Sequence, residues 1–90
     1  MPVATLLRAA ALAGDAVTIS YYEAPESERL RIVIPVAVRG EALDAIVDPT
    51  TGSCAVFKLR KIASVRCADG RFALNPAADH PSRMDLEPVW

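Results

Sequence analysis

Ninety residues are enough chain for one hydrophobic core and too few for two, since a domain of this size buries only roughly 60% of its unfolded surface. A hydrophobic fraction of 52% with 23% charged residues excludes bulk disorder. Ten Lys and Arg against eleven Asp and Glu leave a formal charge of −1, so no global field draws nucleic acid and any anion site must be a local patch.

Val3, Leu6, Leu7 and Ala10 recur at the spacing of one helix face, and Gly14 supplies a stop. Arg8 interrupts this apolar run and no basic region precedes it, so the segment reads as a helix rather than a secretory signal. From Ala16 the period changes to two. Val17, Ile19 and Tyr21 alternate with Thr18, Ser20 and Tyr22, which predicts a strand with one buried face. Residues 23–28 hold a proline and three carboxylates and read as an exposed hairpin loop.

In the second strand Leu30, Ile32, Ile34, Val36 and Val38 share the face expected to be core, while Arg29, Arg31, Val33, Pro35, Ala37 and Arg39 share the other. Pro35 lacks a backbone donor, so this strand is expected at an edge or bent there. Gly40 and Glu41 make the next turn, residues 42–48 a third strand, and Asp48-Pro49-Thr50-Thr51-Gly52 a further turn. Residues 53–59 and 62–67 supply two last strands, with Phe57, Leu59, Ile62 and Val65 as core. One helix and five short strands predict a mainly β domain over residues 1–70, a small, strongly bent five-stranded antiparallel β-barrel with an N-terminal α-helix. An open sheet backed by the helix is the alternative. Residues 71–90 hold three of the seven prolines and read as an extended tail or linker.

Little in the chain supports catalysis. The only histidine, His80, lies between an aspartate and a proline in the tail, a poor setting for a rigidly held base. Asp44 and Asp48 read as solvated acids at a hairpin end. Cys54 and Cys67 match no zinc or redox spacing and are expected as buried thiols; a plain hairpin over 53–67 would set them opposite one another. No enzyme activity, metal or cofactor is expected. No apolar run approaches the ~20 residues that span a bilayer, so no membrane segment is expected and a cytoplasmic location is the default.

The informative residues are cations beside aromatics. Arg29 and Arg31 project from one face of the second strand, and Lys58, Arg60 and Lys61 cluster where the fourth strand meets the fifth. A bent barrel can bring these together, and arginine forks with lysine point charges suit an anion such as phosphate. Tyr21 or Tyr22 could stack on a nucleobase.

In order, Ala11-Leu12-Ala13-Gly14-Asp15-Ala16-Val17-Thr18-Ile19-Ser20-Tyr21, then Arg31 four residues before Pro35, then Phe57-Lys58-Leu59-Arg60-Lys61-Ile62-Ala63-Ser64-Val65 resemble the WYL domain family. That family consists of Sm-like or SH3-like barrels found mostly in bacterial transcription regulators and in defence or repair proteins. The third block is similar to a Phe-Arg-Leu-x-Arg-Ile-x-x-Val signature. Lys58 and Lys61 stand at its arginines, and Ala42-Leu43-Asp44 stands where the naming tripeptide should be, without Trp or Tyr. The resemblance implies a regulatory sensor of single-stranded DNA or RNA or of nucleotide-like ligands, acting on a partner or an attached domain. It implies Tyr21, Arg31, Lys58 and Lys61 as the ligand-facing set, with Arg29 and Arg60 as secondary contacts. The competing expectation is a protein-interaction or homodimerisation module whose ligand pocket has decayed, which the altered tripeptide favours.

Overall fold

The computed structural model describes residues 2–22, 29–76 and 78. The chain opens with α1, Val3–Ala13, which buries Val3, Leu6, Leu7 and Ala10 as the spacing requires. The helix stops at Gly14, whose φ of 71° is open to glycine without strain. There the Gly14 N–H donates to the Ala11 carbonyl at 3.3 Å and the Asp15 N–H to that of Ala10 at 3.0 Å. This paired arrangement satisfies carbonyls that the helix end would otherwise orphan.

Six strands follow: β1 Val17–Tyr21, β2 Leu30–Arg39, β3 Ala42–Asp48, β4 Ser53–Lys58, β5 Ile62–Cys67 and β6 Phe72–Leu74, with one turn of 3-10 helix at Leu59–Lys61 between β4 and β5. All neighbours pair antiparallel, in the order β4-β3-β2-β1-β5-β6. The domain is therefore mainly β with one N-terminal helix. Its sheet is not closed, and β4 and β6 form its edges. The predicted hairpin loop at 23–28 and most of the predicted tail lie outside the described residues.

β2 is shared between two halves of the sheet. Its first half pairs with β1, from Leu30 opposite Ser20 to Val33 opposite Val17, and its second half pairs with β3, from Ile34 opposite Ile46 to Arg39 opposite Ala42. The register slips between Pro35 and Ala37. Proline is tolerated here because its nitrogen faces the side of β2 where pairing with β1 has ended at Val33, so no ladder bond is lost. The expected bend is thus present.

Three expectations are corrected. First, the faces of β2 are exchanged over its first half. Val33 is 1% exposed and Pro35 is buried, whereas Leu30, Ile32 and Val36 are 73%, 71% and 52% exposed. The slip at the bulge then returns Val38 to the core side. Second, there are six strands rather than five, because Phe72–Leu74 pairs with β5 and Ala73 is buried. The folded unit therefore runs past residue 70. Third, Cys54 is exposed rather than buried; Cys67 is a buried thiol as expected, both are free, and they lie on strands that the sheet order separates.

The core lies between α1 and the concave side of the sheet, where Val17, Ile19, Val33, Leu43, Phe57, Ile62 and Val65 meet the helix residues. Among the described residues no helix is long and apolar enough to cross a membrane.

The exchange of faces on β2 makes a direct prediction for urea unfolding. Val33→Ala should cost about 2 kcal/mol, from lost transfer energy plus a residual cavity. Ile32→Ala, one residue away and larger, should change stability by no more than about 0.5 kcal/mol. The opposite ranking would return the core to the other face.

Candidate functional site

The site is built where the open ends of β1, β2 and β4 meet. Tyr21, the last residue of β1, is 7% exposed, and its hydroxyl accepts the Lys58 backbone N–H at 3.1 Å. Its ring meets Phe57 edge-on, with centroids 5.0 Å apart and planes at 85°. Phe57 has a second neighbour: the Arg31 guanidinium lies over its ring, 5.6 Å from the centroid. Arg31 can occupy the inner phase of β2 because its aliphatic stem packs at the mouth while its charged end stays in water.

Beside this aromatic centre Glu41, Lys58 and Arg60 line a cleft of about 220 Å³. The turn that carries Glu41 is tied to it, since the Leu59 N–H donates to the Glu41 carbonyl at 2.9 Å. The 3-10 turn is pinned by Asn75, whose side-chain amide donates to the carbonyls of Leu59 at 3.1 Å and Ile62 at 3.0 Å. Lys61 enters through its backbone, its carbonyl accepting the Tyr22 N–H at 2.9 Å. The Arg29 guanidinium lies 6.0 Å from the Tyr22 ring centroid, and its Nε is buried without a hydrogen-bond partner among the described residues.

Of the residues expected to face a ligand, Arg31 reaches Phe57 through its guanidinium, Lys58 reaches Tyr21 through its backbone N–H alone, and Lys58 lines the cleft with the secondary contact Arg60. Tyr21 is a strut rather than an exposed platform, since its ring is buried and its hydroxyl is engaged. Lys61 and Arg29 both meet Tyr22, Lys61 through its backbone carbonyl and Arg29 through its guanidinium. Two further members emerge from the geometry. Tyr22, half-buried beside Arg29, is the aromatic with a face near the rim. Glu41 adds a carboxylate to the cleft, and its turn position in sequence gave no hint of the cations it would meet.

Elsewhere the polar chemistry is local. The Asp48 carboxylate accepts from the Thr50 hydroxyl at 2.5 Å and the Thr50 N–H at 3.0 Å, which lowers its pKa and fixes the turn before β4. Burial raises the pKa of the Cys67 thiol. No group of three or more His, Cys, Asp or Glu that could hold a metal occurs among the described residues.

Comparison with protein-family models, with curated proteins and with solved structures found no significant match to this chain.

The Tyr21 strut can be tested by Tyr21→Phe. Losing the hydroxyl leaves the Lys58 N–H without its acceptor, so chemical denaturation should report a loss of about 1–2 kcal/mol with the fold retained. An unchanged midpoint would show that this contact does not hold β1 to β4. Thiol labelling gives a second check. Cys54 should react with an aromatic disulfide reagent in the native state, while Cys67, buried and biased toward its protonated form, should react only as the chain unfolds.

Proposed function

We propose that this domain is a non-enzymatic sensor that binds an anionic ligand, single-stranded nucleic acid or a nucleotide, and alters the activity of a partner or an attached domain. The observation that carries this reading is the cleft lined by Lys58 and Arg60, with the Arg31 guanidinium over the ring of Phe57, the residue before Lys58, from segments nearly thirty residues apart in sequence. An arginine supplies a planar fork and a lysine a mobile point charge, the pairing that suits a phosphate.

The size of the cleft narrows the ligand. Pockets that enclose a whole drug-sized molecule run to about 300–1,000 Å³, so about 220 Å³ takes a phosphate group and leaves the nucleoside outside. Tyr22 and Arg29 at the neighbouring rim can then stack on the base, an interaction tolerant of sequence. Glu41 opposes an anion in the cleft and sets a limit on affinity. The order of the Tyr21, Arg31–Pro35 and Phe57–Val65 segments is also what a WYL-like sensor would carry, which supports the same class of ligand. A second reading, a protein-interaction or dimerisation module, is favoured by a different observation: Leu30, Ile32, Val56, Phe72 and Leu74 stand exposed on strands.

Fluorescence anisotropy with a short labelled single strand tests the first reading. Neutralising about three phosphates gives a log–log salt slope near −2, or roughly a hundredfold weakening per decade of salt. Replacing Lys58 and Lys61 together by alanine should abolish binding, and Glu41→Gln should tighten it. Absence of binding to oligonucleotide or nucleotide at low salt would sink this reading.

A further inference from the structure

The two edges of the sheet are finished differently. β6 is three residues long, and Asn75 and Pro76 follow it, with the Asn75 N–H donating to the Ala63 carbonyl at 2.9 Å. β4 is six residues long and contains no proline, and its only charge, Lys58, sits at its end. The protections natural edges use, proline, charge within the strand or a covering element, are missing from Ser53 to Phe57 among the described residues.

The hydrogen-bond phase of β4 shows which backbone groups are open. Leu43 stands opposite Phe57, and the Leu59 N–H donates to Glu41, so Ala55, Phe57 and Leu59 turn their backbone groups toward β3. Cys54, Val56 and Lys58 therefore turn theirs outward. The Lys58 N–H is already taken by the Tyr21 hydroxyl. Cys54 and Val56 are left presenting donors and acceptors along an edge that no described strand pairs. Their side chains are exposed and line a groove of about 440 Å³ together with Val36, Arg39, Asp44 and Ala55.

We propose that this edge pairs with β4 of a second copy of the chain, antiparallel about a two-fold axis at Ala55, joining two sheets into one. The proposal deepens the dimerisation reading and is independent of anion binding. The register is set by the groups that remain open. With Cys54 opposite Val56 of the copy, both hydrogen-bonded pairs use only unoccupied groups, and the axis falls on Ala55 facing its own copy in the non-hydrogen-bonded site, where strands approach closest and a small side chain fits. The alternative with Val56 on the axis sets Cys54 against Lys58, whose N–H is committed. The chosen register also favours a second copy over an unrelated peptide on charge. It keeps the two Lys58 side chains at opposite ends and sets each beside Gly52 of the copy, at the turn that carries Asp48.

Sedimentation across a range of concentrations is the test. The native chain should show a monomer–dimer equilibrium. Val56→Pro removes an outward N–H at an edge position of the kind that accepts proline, so it should leave the circular dichroism spectrum unchanged and the protein monomeric, and Val56→Lys should do the same by charge. In a Cys54→Ser background, Ala55→Cys should form an intermolecular disulfide on air oxidation, because opposed Cα atoms at such a site lie about 4.5 Å apart, within the roughly 4.4–6.8 Å that a disulfide spans. A dimer that survives both Val56 substitutions and yields no disulfide would overturn the β4 pairing while leaving dimerisation through another surface. A chain that stays monomeric would overturn it outright, as would one whose Val56 amide is protected from exchange while monomeric.

Discussion

The geometry of this domain depends on the point in β2 where pairing passes from β1 to β3 and the register slips. Pro35 lies in that strand two residues past Val33, the last residue printed opposite β1, so its missing N–H faces a side where no ladder continues, and the slip follows directly after it. The strand bulges between Pro35 and Ala37 and serves β1 with its first half and β3 with its second. A flat sheet would hold β1 and β4, three intervals apart in the order, about 14 Å from one another. Instead the Tyr21 hydroxyl reaches the Lys58 N–H at 3.1 Å, and the Tyr21 and Phe57 rings meet edge-on. Such an aromatic pair contributes about 0.5–1.5 kcal/mol beyond its buried area. The curl, rather than any local motif, sets Arg31 over Phe57.

That same bulge explains where sequence periodicity misleads. Leu30, Ile32, Ile34, Val36 and Val38 look like an unbroken apolar face, and summed hydrophobicity favours it over a face that begins with two arginines. The alternation is read as continuous, yet an extra residue at the bulge reverses its phase, so Val33 and Val38 both reach the core side although an odd number of positions separates them. Pro35 was the available signal for a bend; what it could not give was the direction of the phase. Tertiary context decided that, since Arg31 shares the phase of Val33 yet stays exposed at the open end of the strand, with its guanidinium over Phe57.

Other parts were legible to different degrees for equally physical reasons. The helix and its stop at Gly14 were clear because eleven residues carry three turns of period. β6 was not, because three residues show no period and its strand character comes from pairing with β5. The cations of the site could be found by type and order in the chain. Their grouping could not be derived from spacing, since the cleft needs Glu41 from a turn and a 3-10 turn pinned by Asn75. The roles of the two tyrosines follow from the strand end: Tyr21 keeps the buried phase, and Tyr22 steps out to the rim beside Arg29.

The candidate site and the open edge lie on one strand. Alternate residues of β4 turn their backbone toward β3, and the others turn it outward, so each outward residue must find a partner or remain open. At Lys58 the partner is Tyr21, carried there by the bend, and beyond that point the strand can take no further neighbour. At Cys54 and Val56 the curl has already carried β1 away. The tied end of β4 carries Lys58 beside the Tyr21–Phe57 pair, and the other end presents exposed Cys54 and Val56 on an edge that no described strand pairs. A tighter curl would cover the edge and crowd Arg31 off Phe57, and a flatter one would part Tyr21 from Lys58 and Phe57, so the curl of the sheet bears on both surfaces at once.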